Sequence, residues 1–401
     1  MSADRGQRLT LFSRYQLSDQ YDLAAEFRPM LAHLCRDYAV QHVSFRNTRP
    51  PDNVPDGCTL TELPLSVDRK RPGDVIGKAL LLYALLPLAA IRVRRFKPDL
   101  IFVTEILPLY ALVLKWLTGR RVATAYGDWH VHNFLGAKWW VKPFLRLIEA
   151  LERVEARHVD GLFCRAGAAG ERLQSWGVDG DRIRVVFDAP DLSAFYPQNQ
   201  QALRAHCGFT PDDVVLLYHG VMHQGKGLDQ LLDYTADCYR AHPGIGLIMV
   251  GSGPEQESLR ARAVALQIAH RVHFTGWLGT VEEVGHYCNA ADICIAMRTG
   301  AESNQHIIPG ALLHSMACRK VVIGPDLPGL REVIVPGENG YLFAPDNGPA
   351  FVSLIQDLIA RRADWPRVAD RAEHDIRERF SVEAAATAYA DALHHFAGEE
   401  K

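Results

Sequence analysis

The chain's 401 residues are too many for one ordinary hydrophobic core and suit two domains of common size. With 48% hydrophobic and 23% charged residues it has the make-up of a folded globular protein, which excludes a long disordered tail. The net charge of −3 divides unevenly, with 27 Lys and Arg against 21 Asp and Glu in residues 1–190 and 17 against 26 in residues 191–401, so an anionic partner should meet the first half.

The opening MSADRGQRLTLFSRY has no apolar core of the signal-peptide kind, and no run reaches the roughly 18 apolar residues of a membrane span. Eight cysteines, none in a C-x-x-C pair and most within apolar runs, read as buried reduced thiols, and together these features favour the cytoplasm. Leu9 to Phe12 reads as a first strand, Tyr21 to Cys35 as a helix and His42 to Phe45 as the next strand, the start of a doubly wound sheet. Ala79 to Ile91, ALLLYALLPLAAI, is the longest apolar run, bracketed by Arg69, Lys70, Arg71 and Lys78 before it and by Arg92, Arg94 and Arg95 after it. KPDLIFVTE (97–105) and RVATAYGD (121–128) read as buried strands with polar residues at their carboxyl ends, where ligands gather in open parallel sheets. Residues 137–158 join Trp139, Trp140, Phe144, Leu147, Ile148 and Leu151 to Lys138, Lys142 and Arg146, which suits either a helix in a membrane interface or one packed on the sheet with snorkelling lysines. Because the Ala79 segment lies in the same half, an anionic membrane surface is expected as a partner, with the protein peripheral at the inner face. No nucleic acid is expected.

The second half opens with VVLLYHGVMHQGKGLDQLL (214–232), a strand, a Gly/His loop and a helix, in which Gly220, Gly225 and Gly227 let backbone approach a ligand. GLIMVGSGPEQESL (246–259), with Gly253, repeats the strand, glycine turn and helix, and VHFTGWL (272–278) and ADICIAM (291–297) add strands. From Asn304 to Ile308 the chain is a polar loop, Pro309 to Cys318 has helical spacing, Val321 to Gly324 is a short strand, and Pro325 to Arg331 is a turn. A loop feeding a helix start offers backbone N–H groups and the positive end of a dipole, as a diphosphate requires, although an ordinary αβ unit without a ligand has the same spacing. His306 and His314 lie eight apart with no third ligand in reach, so no metal is expected.

LLHSMACRKVVIGPDLPGLREVIVPGENGYLF (312–343) resembles the donor-site segment of retaining GT-B glycosyltransferases of family 4, where LLE(A/Y)MACGKPVVASDxGGLxEVVxxGxNGxLF is usual. RHVDGLFCRAGAAGERLQSWGVDGDRIRVVFDAPDLSAFYP (157–197) is similar to the run that closes that family's first domain, and the likeness reaches from about residue 97 to the C-terminus. It implies two Rossmann-like domains facing a cleft, acceptor-binding over residues 1–195 and donor-binding over 196–378, with a terminal helix over 379–401 crossing back to the first. The implied activity is metal-independent, cofactor-free transfer of a hexose, with retention, from a nucleotide-sugar, UDP favoured, to a glycan or lipid-linked acceptor.

The same resemblance implies the site. Lys226 stands at the family's phosphate-binding Lys, while Val221 replaces an Arg often found five residues earlier. Gly220, Gly253, Gly276, Trp277, Ile308, Pro309 and Glu332 fall on donor-side loops, and His306 and His314 stand where most members carry the two Glu residues that contact sugar and ribose. Tyr126 occupies the His position of a TVHGD-like strand end, with Asp128 and His130 completing the expected catalytic group and His132 close behind. Those replacements also leave open an alternative, a weak or inactive GT-B protein that partners or regulates another transferase.

Overall fold

A computed structural model describes residues 7–13, 31–46, 54–66, 81–104, 107–126 and 142–398. The chain divides into two units, one running to Phe187 and resuming at Val382, the other Asp188–Ser381. The sequence put these seams at 195 and 378. The segment after Asp188 packs on the second unit: Phe195 stacks on His314, and a Cβ on Gly285 would meet the Ala194 carbonyl.

The first unit is built on β1 (Gln7–Ser13), β2 (Tyr38–Arg46), β3 (Cys58–Ser66), β4 (Leu100–Thr104), β5 (Arg121–Tyr126), β6 (Gly161–Cys164) and β7 (Ile183–Val185). They form one sheet in the order β3-β2-β1-β4-β5-β6-β7, every pairing parallel. Parallel strands need crossovers that cover both faces, which is why β4 is apolar in four of its five residues and β1 is buried on both faces from Leu9 to Ser13, Thr10 included. One side of the core joins Leu9, Leu11, Phe102 and Phe163 to Ala386, Leu393 and Phe396 of the helix Val382–Ala397. Gly161 is glycine for this packing, since a Cβ there would lie 2.4 Å from the Phe396 ring. β3 escaped the sequence reading because CTLTELPLS lacks a continuous apolar run. The Tyr21–Cys35 helix can be followed only over its described end, where residues 31–37 are helical.

The second unit comprises β8 (Val214–His219), β9 (Ile245–Val250), β10 (Val272–Gly276), β11 (Ile293–Ile295), β12 (Val321–Pro325) and β13 (Tyr341–Phe343), all parallel in the order β10-β9-β8-β11-β12-β13. From β8 the chain builds outward through β9 and β10, then returns to lay β11 on the other side of β8. That reversal opens a crevice at the carboxyl ends of β8 and β11, the usual place for a ligand in such sheets.

Candidate functional site

Two loops meet at this crevice. β8 ends at His219 and gives way to Gly220–Gly227, the turn that carries Lys226 and opens the helix Leu228–Ala241. Gly227 is left-handed at φ 71°, and a Cβ there would press within 2.8 Å of Gln230 Oε1 and 3.1 Å of Thr299 Cγ2. The loop is bolted to the turn after β9: Met222 N–H donates to the Ser252 carbonyl at 2.9 Å, and Glu255 N–H donates to the Met222 carbonyl at 3.1 Å. A Cβ on Gly253 would sit 2.2 Å from that same Met222 oxygen. Gly253 therefore serves the site by letting two backbones touch.

The second loop follows β11. Asn304, buried, donates through Nδ2 to the Gly225 carbonyl at 3.1 Å and to the Thr299 carbonyl and Oγ1 at 3.1 and 2.9 Å, so one side chain ties both loops together. Gly329 N–H donates to the Gln305 carbonyl at 2.9 Å, fixing the stretch that holds His306 and the buried Ile308. Pro309 is extended (φ −67°, ψ 128°) and caps the helix Gly310–Ala317, one residue later than the spacing suggested. Its ring fixes the entry angle, and the first N–H groups of the helix follow directly.

Histidines sit where the loops converge. The His314 ring is parallel to Phe195 with centroids 4.0 Å apart, and it faces the His219 ring at 5.5 Å. His219 Nε2 lies 3.2 Å from the Ala311 carbonyl, so this nitrogen carries the proton. Burial, helped by the nearby His314 and Lys226, pushes the His219 pKa down to about 3. His219 is a neutral, packed histidine.

The remaining expected residues spread outward. Gly276 closes β10 with its carbonyl accepting from Gly251 N–H at 3.1 Å, and Trp277 beside it is 56% exposed. Glu332 caps the short helix Pro328–Arg331 and its carbonyl accepts from Arg379 Nη2 at 2.9 Å. In the first unit Tyr126 ends β5 edge-on to Trp176 at 5.6 Å, its hydroxyl pKa raised chiefly by burial, so it is held by packing and stays neutral. Asp128, His130 and His132 lie outside the described residues. Among the described residues no group of three or more His, Cys, Asp or Glu is placed to hold a metal, and no helix is long and apolar enough to cross a membrane.

Two family descriptions match the chain, Glycosyltransferase Family 4 over residues 31–193 and Glycosyl transferases group 1 over residues 213–361. The chain belongs to the GT-B glycosyltransferases of family 4. It is 30% identical over 226 residues to the D-inositol 3-phosphate glycosyltransferase of Segniliparus rotundus, covering 54% of this chain and 48% of that one. The chain spans about half the length of the first curated relatives it matches. Among solved structures, sucrose-phosphate synthase from Thermosynechococcus elongatus shares its fold at a TM-score of 0.76 and 19% identity, covering 96% of this chain and 98% of that one. Anabaena HepE in complex with UDP and glucose does so at 0.71 and 16%, covering 96% and 99%.

In this GT-B glycosyltransferase the structure gathers Gly220, Lys226 and His314 at the end of β8, with Gly253 behind them and Ile308 and Pro309 on the adjoining loop. Gly276 and Trp277 stand beyond β9, and Tyr126 belongs to the other unit. The sequence reading missed His219, Asn304 and Phe195. His219 hid as the last residue of the VVLLYH strand, and Asn304 as one polar residue in a polar loop.

Proposed function

We propose that the chain is a retaining glycosyltransferase that moves a sugar from a nucleotide-sugar, a UDP-sugar favoured, to a glycan or lipid-linked acceptor. The observation that carries this reading is Lys226 on a glycine turn, tied by Asn304 to the loop that starts the helix Gly310–Ala317. A lysine and a helix start converging at one crevice offer the charge and N–H dipoles that a departing diphosphate requires. In the reaction the bond from the anomeric carbon to the diphosphate oxygen breaks while the acceptor hydroxyl bonds the same face of the sugar. Its proton passes to the leaving oxygen, so no protein nucleophile or metal is called for. HepE, a neighbour in fold, was solved with UDP and glucose, which supports the donor class. Relatives named as glycosyltransferases weigh against the inactive-partner alternative.

For the acceptor we place the first unit at an anionic membrane surface. The helices Leu86–Phe96, Tyr110–Thr118 and Lys142–His158 pack in sequence and expose Ile91, Trp116, Phe144 and Leu147, Trp116 to 72%, beside the exposed Arg94, Arg95, Lys142 and Arg146. Titrating the purified protein with UDP-, GDP- and dTDP-sugars and following their hydrolysis tests the donor reading. Absence of binding and hydrolysis across that panel would overturn it.

A further inference from the structure

With Val221 in place of the family's arginine, and 44% exposed, Lys226 is the one cation that the sequence places beside a donor diphosphate. The structure adds another. Arg298 follows β11, across the crevice from the end of β8, and only 9% of it is exposed. Its neighbours fix where it lies: Met297 Cε and Thr299 Cγ2 are 3.2 and 3.1 Å from where a Cβ on Gly227 would be, and Thr299 Oγ1 donates to the Gly225 carbonyl at 3.4 Å. Residues 297–299 thus run against the very turn that presents Lys226. Arg298 Nη1 donates to the Met297 carbonyl at 2.9 Å, and its charge acts on the buried Tyr218 hydroxyl, which itself donates to the Val221 carbonyl at 3.2 Å. A guanidinium in so dry a setting is costly to bury and acts strongly on any anion brought near it.

We propose that Arg298 supplies the second positive charge for the donor diphosphate, replacing from the loop after the neighbouring strand the arginine that position 221 lacks. This rests on the nucleotide-sugar reading above. The test is calorimetric titration of UDP and of uridine, which lacks phosphate, into the wild-type chain, Arg298→Gln, Arg298→Lys, and Arg298→Gln combined with Val221→Arg. Arg298→Gln should weaken UDP about 10- to 100-fold, the usual range for a lost charge-assisted contact, and move uridine less than about twofold. Val221→Arg should recover most of that loss. Arg298→Lys should weaken UDP about three- to tenfold with uridine unmoved, because the charge stays while the planar fork is lost. If Arg298→Gln does not fold, the lysine variant decides on its own. UDP affinity indifferent to Arg298, or UDP and uridine weakened alike, overturns the assignment alone. Wild-type protein that binds no UDP overturns the UDP-donor reading and this inference with it.

Discussion

Lys226 is held by a turn that packing has fixed in advance, so its contribution to binding should be readable in isolation. Lys226→Ala should weaken nucleotide binding by about 1.5–3 kcal/mol with little change in melting temperature. Unchanged affinity would remove Lys226 from the site. His314 is harder to separate, because its ring stacks on Phe195 and also faces the His219 ring at the end of β8. A carboxylate there loses the stack but accepts two hydroxyl hydrogen bonds, so His314→Glu should tighten donor binding while lowering the melting temperature. If neither changes, the position does not read the donor. His219 carries a different signature. Its pKa is near 3 when folded, against an ordinary 6.5, so between those values the unfolded chain holds a proton that the folded chain refuses. Its stabilising effect is complete above pH 6.5 and is lost as pH falls from there towards 3, by up to about 1.4 kcal/mol per pH unit. His42, buried in β2 and shifted to about 4, adds the same trend in the first unit. Urea unfolding at pH 7 and pH 5 should show the loss, and His219→Gln should flatten the slope; an equal slope in the variant would assign the acid sensitivity elsewhere.

Loops rather than strands decide whether the crevice keeps its shape. Asn304→Ala leaves the Gly225 and Thr299 carbonyls without their shared donor, which should cost about 1–3 kcal/mol of stability. It should raise donor KM more than it lowers kcat, since the Gly220–Gly227 turn loses its tie while the chemistry is untouched; equal KM in wild type and variant would show that the tie does not shape the site. Gly253→Ala forces a methyl into the Met222 carbonyl and should be the harsher change, measurable as a lower melting temperature even without ligand. These dependencies mark the limit of what the sequence could tell. VVLLY and LIMV are continuous apolar runs with a glycine close behind, and such runs declare buried parallel strands unaided. GSGP was legible as a glycine turn and, by resemblance, as part of the donor side, but whether Gly253 faces a ligand or Met222 depends on a strand pairing that no local pattern encodes. Arg298 was overlooked for a related reason. An arginine three residues past a strand looks like a surface residue until the sheet order puts β11 beside β8.

At the scale of the whole molecule the expected membrane contact makes a testable claim about the first unit. Each basic residue near an anionic surface adds about 1 kcal/mol, and the attraction is screened within about 8 Å at physiological salt. Co-sedimentation with vesicles rich in anionic lipid should therefore be strong at low salt and weak at high salt. Protein that stays in the supernatant at low salt would refute the membrane claim and leave the donor site untouched. The path of the chain has another outcome. Because the second unit is inserted before Val382, and because Leu393 and Phe396 complete the core around Leu9, Phe102 and Phe163, the unit that emerges first from the ribosome is finished last. Residues 188–381 can close their own sheet while the earlier one still waits for a wall. Stopping the chain before Val382 should accordingly leave the later-made unit melting cooperatively and the earlier-made one exposing aromatic rings to aggregation, a split that calorimetry and dye binding on the truncated chain would reveal.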